Sequence, residues 1–468
     1  MKAKMFIWRL ILIVCFCLTI NISNSTGSNP LGVTTPQNLN TDVRYLSDRS
    51  IAKPLDNQKL KKSLDLNNLA DAVEQVELGW KYQYETYYQG QLKSQYFNLP
   101  EIKQQLANID RSTKSRSALI YAIPSQDSLH LILVTANGDT IHRTVNEATT
   151  KNLTEVANTL RLNLVNPQTT RAEYLPPAQK LDRWLIQPIA AELKARKIDT
   201  ILFCLGKGLR GLPLAALYDS KQFLVERYNF AIIPAFNLLD SRSTPLTGLQ
   251  VLAMGANKFS KNPDLPAVPV ELATITQPGF WQGKVLLNEA FTLKQFQQSR
   301  SQTPYGIVHF ATHADISAKS VRDSYIQFWD RRLQLDRVQD LQLDNPSVQL
   351  LVLSACRTAL GAPNAELGFA GLAVQSGAKA VLASLWSVDD VGTLLLMSGF
   401  YERLKTTPIK TNVLRRTQIA MLQGDLTLKN SSIRLVRGSL PAELQPSQER
   451  DFSHPYYWAA FTMIGNPW

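Results

Sequence analysis

Apolar residues recur along this chain in two rhythms. Between residues 66 and 90, Leu69, Val73, Val76, Leu78 and Trp80 fall near helical spacing and the run stops at Gly90, which predicts a helix. From Ser117 the pattern shortens to strand-length runs, "SALIYAIP", "LHLILVT" and, after "ANGD", "TIHRTV". The last two read as a hairpin turning at Asn137-Gly138. Helical stretches are expected at about 150–163 and 178–196, followed by an apolar strand "TILFCLG" (200–206) in which Cys204 reads as a small core residue.

A second series begins near residue 248 with strand "LQVLAMG", a helix containing "VELATITQ", strand "KVLLN" and helix "TLKQFQQSR". Strand "YGIVHFATHA" (305–314) comes next, and after a polar insertion strand "SVQLLVLSAC" (347–356). Helix "ELGFAGLAVQS" stops at Gly377, strand "AVLASLW" (380–386) follows, and Asp389 or Asp390 caps helix "VGTLLLMSGFYERLK". Strands that alternate with helices and are mostly unbroken apolar runs imply an α/β fold with a mainly parallel sheet covered on both faces. No repeat of 20 to 50 residues is apparent.

The 468 residues allow roughly two or three domains of about 150 residues. With 44% hydrophobic and 19% charged residues, bulk disorder is excluded. The first residues read as a signal peptide over 1–25: Lys2, Lys4 and Arg9 form a positive region, Leu10 to Ile20 an apolar one, and Ser23 and Ser25 precede the cut. An uncleaved anchor over Phe6 to Ile22 is the alternative. Either way an exported protein, periplasmic or extracellular, is expected. Residues 26 to about 60 are polar and aperiodic and read as an arm, within an N-terminal linker and helical region spanning 26–115.

Charge and cysteine usage narrow the partners. The formal charge is +12, or +9 once Lys2, Lys4 and Arg9 are removed, but the bases are scattered and no basic helix with interleaved aromatics occurs, so no nucleic-acid partner is expected. Membrane association beyond the possible N-terminal anchor is not indicated either. Cys15 and Cys17 belong to the leader, which leaves only Cys204 and Cys356 in the body and no disulfide framework. One Cys204–Cys356 bridge, or a thiol kept for chemistry, remain open.

Functional groups in open parallel sheets collect beyond the carboxyl ends of strands, and here one expected strand ends at His313 and another at Cys356. A thiol attacks a carbonyl as thiolate, and a neighbouring imidazole can take its proton and return it to the leaving amine. Backbone N–H groups aimed at the oxyanion would complete the site. This chemistry calls for no cofactor and no metal. His309, four residues before His313, faces the same side in a regular strand and reads as a hydrogen-bonded structural residue; metal binding by the pair lacks a third ligand nearby. His454 also reads as structural.

Several ordered segments together resemble the CHAT domain, a caspase-related group in the class of cysteine peptidases that includes separases and gingipains. They are "LGKGLRGLPLAAL" (205–217), "LPAVPVELATI" with Glu271, "GIVHFATHA", "LLVLSACRTALG", "GLAVQSGAKAVLASLWSVDD" and "HPYYWAAFTMIG" (454–465), so the resemblance runs from about Ser117 to Trp468. It implies a caspase-like α/β/α sandwich, with a degenerate caspase-like half at 116–245 supporting a catalytic half at 248–468. It further implies His313 as general base and acid, Cys356 as nucleophile, and the backbone N–H groups of Ala314 and Cys356 as the oxyanion hole. Where relatives carry Gly after the histidine this chain has Ala314, which supplies an N–H but would cost about 1 kcal/mol in a left-handed conformation. The expected activity is that of an exported cysteine endopeptidase acting on protein or peptide substrates, with an inactive caspase-like scaffold as the alternative. Asp315, Glu366 and Asp389 lie in expected loops near the strand ends; each reads as a solvated charge, or for Asp389 a helix cap, before it reads as a specificity carboxylate. Tetratricopeptide repeats, common in front of such domains, are not evident. The substrate-binding residues and the oligomeric state are not readable.

Overall fold

The computed structural model describes residues 51–242, 244–358, 361–427 and 450–468, and only the backbone at 355 and 356. The expected leader and most of the arm, up to residue 50, therefore lie outside the described residues. No described helix is long and apolar enough to cross a membrane.

Thirteen strands join in one sheet. In chain order they are β1 Ser117–Pro124, β2 Leu129–Thr135, β3 Ile141–Val145, β4 Thr200–Leu205, β5 Asn229–Ile233, β6 Val251–Gly255, β7 Gly283–Leu287, β8 Ile307–Ile316, β9 Tyr325–Gln327, β10 Arg332–Gln334, β11 Leu350–Thr358, β12 Ala380–Ser384 and β13 Phe461–Gly465. Seven neighbouring pairs are parallel and five antiparallel, so the sheet is largely parallel, as the alternation of elements implies. Strands β1, β2, β4 and β5 each feed two cores. In β1, Leu119, Tyr121 and Ile123 point to one face while Ala118, Ile120 and Ala122 point to the other. Helices Asn57–Asp65, Leu69–Tyr88 and Leu99–Thr113 cover the first of these faces, and helices Thr150–Leu164 and Arg171–Leu185 the second. The result is a mixed α/β architecture with helices on both sides of the sheet.

Two features tie residues 116–245 to the rest. The closing strand β13 runs antiparallel to β12 and parallel to β5, so the last residues of the chain fill the seam of the sheet. A buried ion pair, Arg161 Nη2 to Glu366 Oε1 at 2.9 Å, crosses between the helix Thr150–Leu164 and the helix Pro363–Ala370.

Four local expectations needed revision. The arm read to about residue 60 already turns helical at Asn57, where the Asp56 side chain accepts from the N–H groups of Gln58 and Lys59. The helix Leu99–Thr113, which Asn98 and Glu101 start with a capping box, adds to the expected elements. The helix expected from 178 begins at Arg171, where Glu173 accepts from the Thr170 N–H. The stretch read as a polar insertion holds the β9–β10 hairpin.

Candidate functional site

Strands β8 and β11 lie side by side in the middle of the second series. Their register runs evenly to Leu353 opposite Phe310, then resumes with Ala355 opposite His313, so β8 carries one extra residue at this point. Such a bulge re-aims the side chains that follow it. It also interrupts the alternation on which the shared face of His309 and His313 was expected, and the two histidines have different surroundings.

His309 is buried and lies between two helices. Its Nε2 is 2.8 Å from the Glu271 carboxylate on helix Val268–Thr276, and its Nδ1 is 3.1 Å from the Tyr401 hydroxyl on helix Asp390–Leu404. Burial, then the nearby Glu271 charge, push the Tyr401 hydroxyl well above its ordinary pKa, so it remains a hydrogen-bonding group and not a base. This pinning of β8 is structural, and it gives Glu271 a role that its place in the chain did not disclose.

His313 instead meets the loop that follows β6. Its Nε2 is 2.8 Å from the Pro263 carbonyl, and its ring stands edge-on to Phe259 with centroids 4.7 Å apart. A carbonyl only accepts, so Nε2 carries the proton and the neutral ring keeps its lone pair on Nδ1. Sequence reasoning sought no third member beside the histidine; the backbone of Pro263 supplies one, and a backbone carbonyl leaves no signature in the sequence. The loop is held in turn by Asp264, which accepts from the Phe259 N–H at 3.2 Å and from Lys258 Nζ at 2.8 Å.

Cys356 stands opposite Ala314 on β11, with His313 opposite Ala355. From ordinary strand spacing and rise, the Cα atoms of His313 and Cys356 are about 6 Å apart. The Cys356 side chain lies outside the described residues. Contrary to expectation, neither strand stops at its reactive residue: β8 continues to Ile316 and β11 to Thr358, because the β9 hairpin pairs with β8 and prolongs the ladder. Ala314 has extended backbone and is not among the positive-φ residues, so the left-handed penalty considered for it does not arise. It is laddered on both sides, to Cys356 on β11 and to Ile326 on β9.

The remaining candidates separate clearly. Glu366 is not a solvated loop charge: it is fully buried on a helix, paired with Arg161 and accepting at 2.8 Å from the Gly208 N–H. Asp389 caps its helix, accepting from the Gly392 N–H at 2.7 Å, and also meets Arg450. Asp315 is half-buried and sits across from Arg357 in the β8–β11 register. Asp390, noted only as a possible cap, is held up to about 6, chiefly by burial and further by the Glu271 and Asp389 charges. Cys204 is a free, buried thiol pushed well above its usual pKa by burial, which removes the bridged alternative. His454 accepts from the Tyr456 N–H through Nδ1 and donates through Nε2 to the Thr169 carbonyl, a structural placement. Among the described residues no group of three or more His, Cys, Asp or Glu side chains could hold a metal ion.

A family model described as the CHAT domain matches residues 175–466. The match covers more than half of the chain, and the chain belongs to that family. A search among curated proteins finds no match. Among solved structures, the chain is similar to separase of Saccharomyces cerevisiae, in a complex with securin, at 9% identity and a TM-score of 0.47, covering 87% of this chain and 34% of that one. It is also similar to Porphyromonas gingivalis RgpB, in a complex of pro- and mature domains, at 9% identity and a TM-score of 0.36, covering 75% and 78%. The chain thus spans about a third of the separase chain it matches.

Proposed function

We propose that this CHAT-domain chain is an exported cysteine endopeptidase that hydrolyses peptide bonds with His313 and Cys356. The observation that carries the reading is the tautomer of His313: Nε2–H donates to the Pro263 carbonyl, leaving Nδ1 as the base, on the strand next to Cys356. In the proposed reaction the thiol of Cys356 gives its proton to Nδ1 and the thiolate attacks the scissile carbonyl carbon. The tetrahedral oxyanion collapses to a thioester as Nδ1–H protonates the leaving amine. Water, deprotonated by the same nitrogen, then attacks the thioester, releasing the carboxylic product and restoring the thiol. Residues 116–245 serve in this reading as a supporting half and 248–468 as the catalytic half.

The test is active-site labelling with a panel of peptidyl electrophiles. Wild-type protein is expected to be labelled at Cys356, the Cys356→Ala variant not at all, and His313→Ala at least 100-fold more slowly, in the range of general-base contributions. Labelling of Cys356 no faster than of an unfolded cysteine would overturn the assignment. Amino-terminal sequencing of the protein recovered outside the cytoplasm tests the cut after Ser25.

A second reading, a caspase-like scaffold without activity, is favoured by one feature. Ala314 has strand partners on both sides, so its N–H faces a neighbour whichever way it points, whereas an oxyanion donor must be unpaired. Labelling that is absent in wild type, together with intact binding of a protein partner by Cys356→Ala, would select this reading.

A further inference from the structure

Next to His313 the molecule opens into a cleft of about 810 Å³ between the loop after β6 and the turn joining β9 to β10. The two structures that hold His313, Phe259 and the Pro263 carbonyl, form part of the same loop, so whatever fills the cleft lies beside the proposed base. The charges in its wall do not balance. Two carboxylates face it and each is matched by a base of the wall itself: Asp264 with Lys258 at 2.8 Å, and Asp330 with Arg331 at 2.9 Å. Two further bases, Lys261 and Arg332, have no carboxylate partner among the described residues. Arg332 is held flat, its guanidinium 4.0 Å from the centre of the Tyr325 ring and its Nε donating to the Gln327 side chain at 3.3 Å. A stacked guanidinium of this kind presents its remaining N–H groups in a fixed plane, which suits a carboxylate. In the same wall the indole of Trp329 is 37% exposed.

We propose that this cleft receives an acidic segment of the substrate polypeptide, with carboxylates at Lys261 and Arg332 and an apolar or aromatic side chain against Trp329. The inference rests on the reading of His313 and Cys356 as a peptidase dyad, because it is their position that makes the cleft a substrate site. A basic segment is disfavoured there, since both carboxylates of the wall are already neutralised.

The experiment uses the full chain carrying Cys356→Ala, so that binding is read without turnover. Three fluorescein-labelled peptides of one length, each with a single Phe flanked by Glu, Gln or Lys, are titrated by anisotropy at low salt. The Glu peptide is expected to bind at least tenfold more tightly than the Gln peptide, and the advantage to shrink between 0.05 and 0.5 M salt, over which the screening length falls to a few ångströms, roughly 4 Å. Exchanging both exposed bases, Lys261→Glu with Arg332→Glu, is expected to reverse the order so that the Lys peptide binds best; Trp329→Ala should weaken all three. Equal binding of the Glu and Gln peptides, preference for the Lys peptide by the unreversed protein, or no response to the charge exchange would each overturn the proposal. Failure of the dyad itself reads out separately, as absent labelling of Cys356, and leaves the peptide order measurable.

Discussion

Removing the guanidinium of Arg161 should unfold this protein more readily than any surface substitution. Arg161 and Glu366 are both nearly inaccessible, and the pair is a hub: Arg161 Nη2 reaches Glu366 Oε1 at 2.9 Å and the Gly208 carbonyl at 3.0 Å, Nε reaches the Gly211 carbonyl at 3.2 Å, and Nη1 reaches Asn158 at 3.0 Å. In Arg161→Met the apolar stem is retained, but Glu366 is left with only the Gly208 N–H, at 2.8 Å, to offset its burial. Breaking one side of such a pair costs about 3–5 kcal/mol, because an uncompensated charge stays in the interior. Glu366→Gln keeps one acceptor oxygen and turns an NH2 towards the other donor, while the guanidinium still meets two carbonyls, so a loss of about 1–3 kcal/mol is expected. Arg161→Met combined with Glu366→Met should lose clearly less than the sum, since replacing a whole buried pair with apolar side chains is often near neutral. Urea unfolding followed by fluorescence and circular dichroism reads these differences, provided the two probes coincide. An Arg161→Met protein within 1 kcal/mol of wild type, or strictly additive single variants, would refute the view that this pair holds the two series of elements together.

Three further outcomes follow from buried groups. Asp390 binds its proton more tightly folded, near 6, than at its ordinary 3.8, so its contribution to stability falls as pH rises from about 4 to 6; Asp390→Asn should raise the melting midpoint at pH 7 and much less at pH 4.5. Lys410 is held down to about 7, by burial first and by Lys379 next, against an ordinary 10.5. The unfolded chain therefore binds the proton more tightly across that window and stability rises with pH; Lys410→Met should raise the midpoint at pH 6.5, with the gain fading towards pH 10. Glu271→Ala leaves the His309 Nε2 buried without its carboxylate and should cost about 1–3 kcal/mol in urea unfolding, whereas Tyr401→Phe, which removes one hydroxyl at Nδ1, should cost about 1 kcal/mol.

Much of the sheet was legible because its signal is local. A parallel strand covered on both faces is mostly apolar, and the runs read at 117–124, 200–206, 305–314 and 347–356 announce themselves in this way, although not their continuation to Ile316 and Thr358. The hairpin of β2 and β3 was also readable, since its turn places Gly138 at φ +82°, a conformation that glycine adopts freely. The Asn98–Glu101 capping box is equally present in the sequence, but the helix it starts has only a few apolar positions, Ile102, Leu106 and Ile109, facing the core, so its periodic signal is weak. The site was less legible because its determinants are not side-chain letters in a row. The bulge in β8 falls at Ala311 and Thr312, without a glycine or proline to mark it, and the partner of His313 is a carbonyl fifty residues away.

Glu366 shows the same limit from the other side and says the most about how the molecule works. Read alone, a glutamate in "PNAELGF" is a surface charge. Its partner Arg161 lies 205 residues earlier, and the Gly208 N–H that completes its coordination follows the last residues of β4. The helix Pro363–Ala370 that Glu366 anchors begins five residues after β11, the strand carrying Cys356, ends at Thr358. Residues 158–211 therefore reach the helix that follows the cysteine strand through one buried ion pair and one backbone hydrogen bond, from the Gly208 N–H to Glu366. Arg161 and the Gly208 N–H thus hold the helix Pro363–Ala370 through Glu366, and an unpaired Glu366 should disturb that helix as well as global stability.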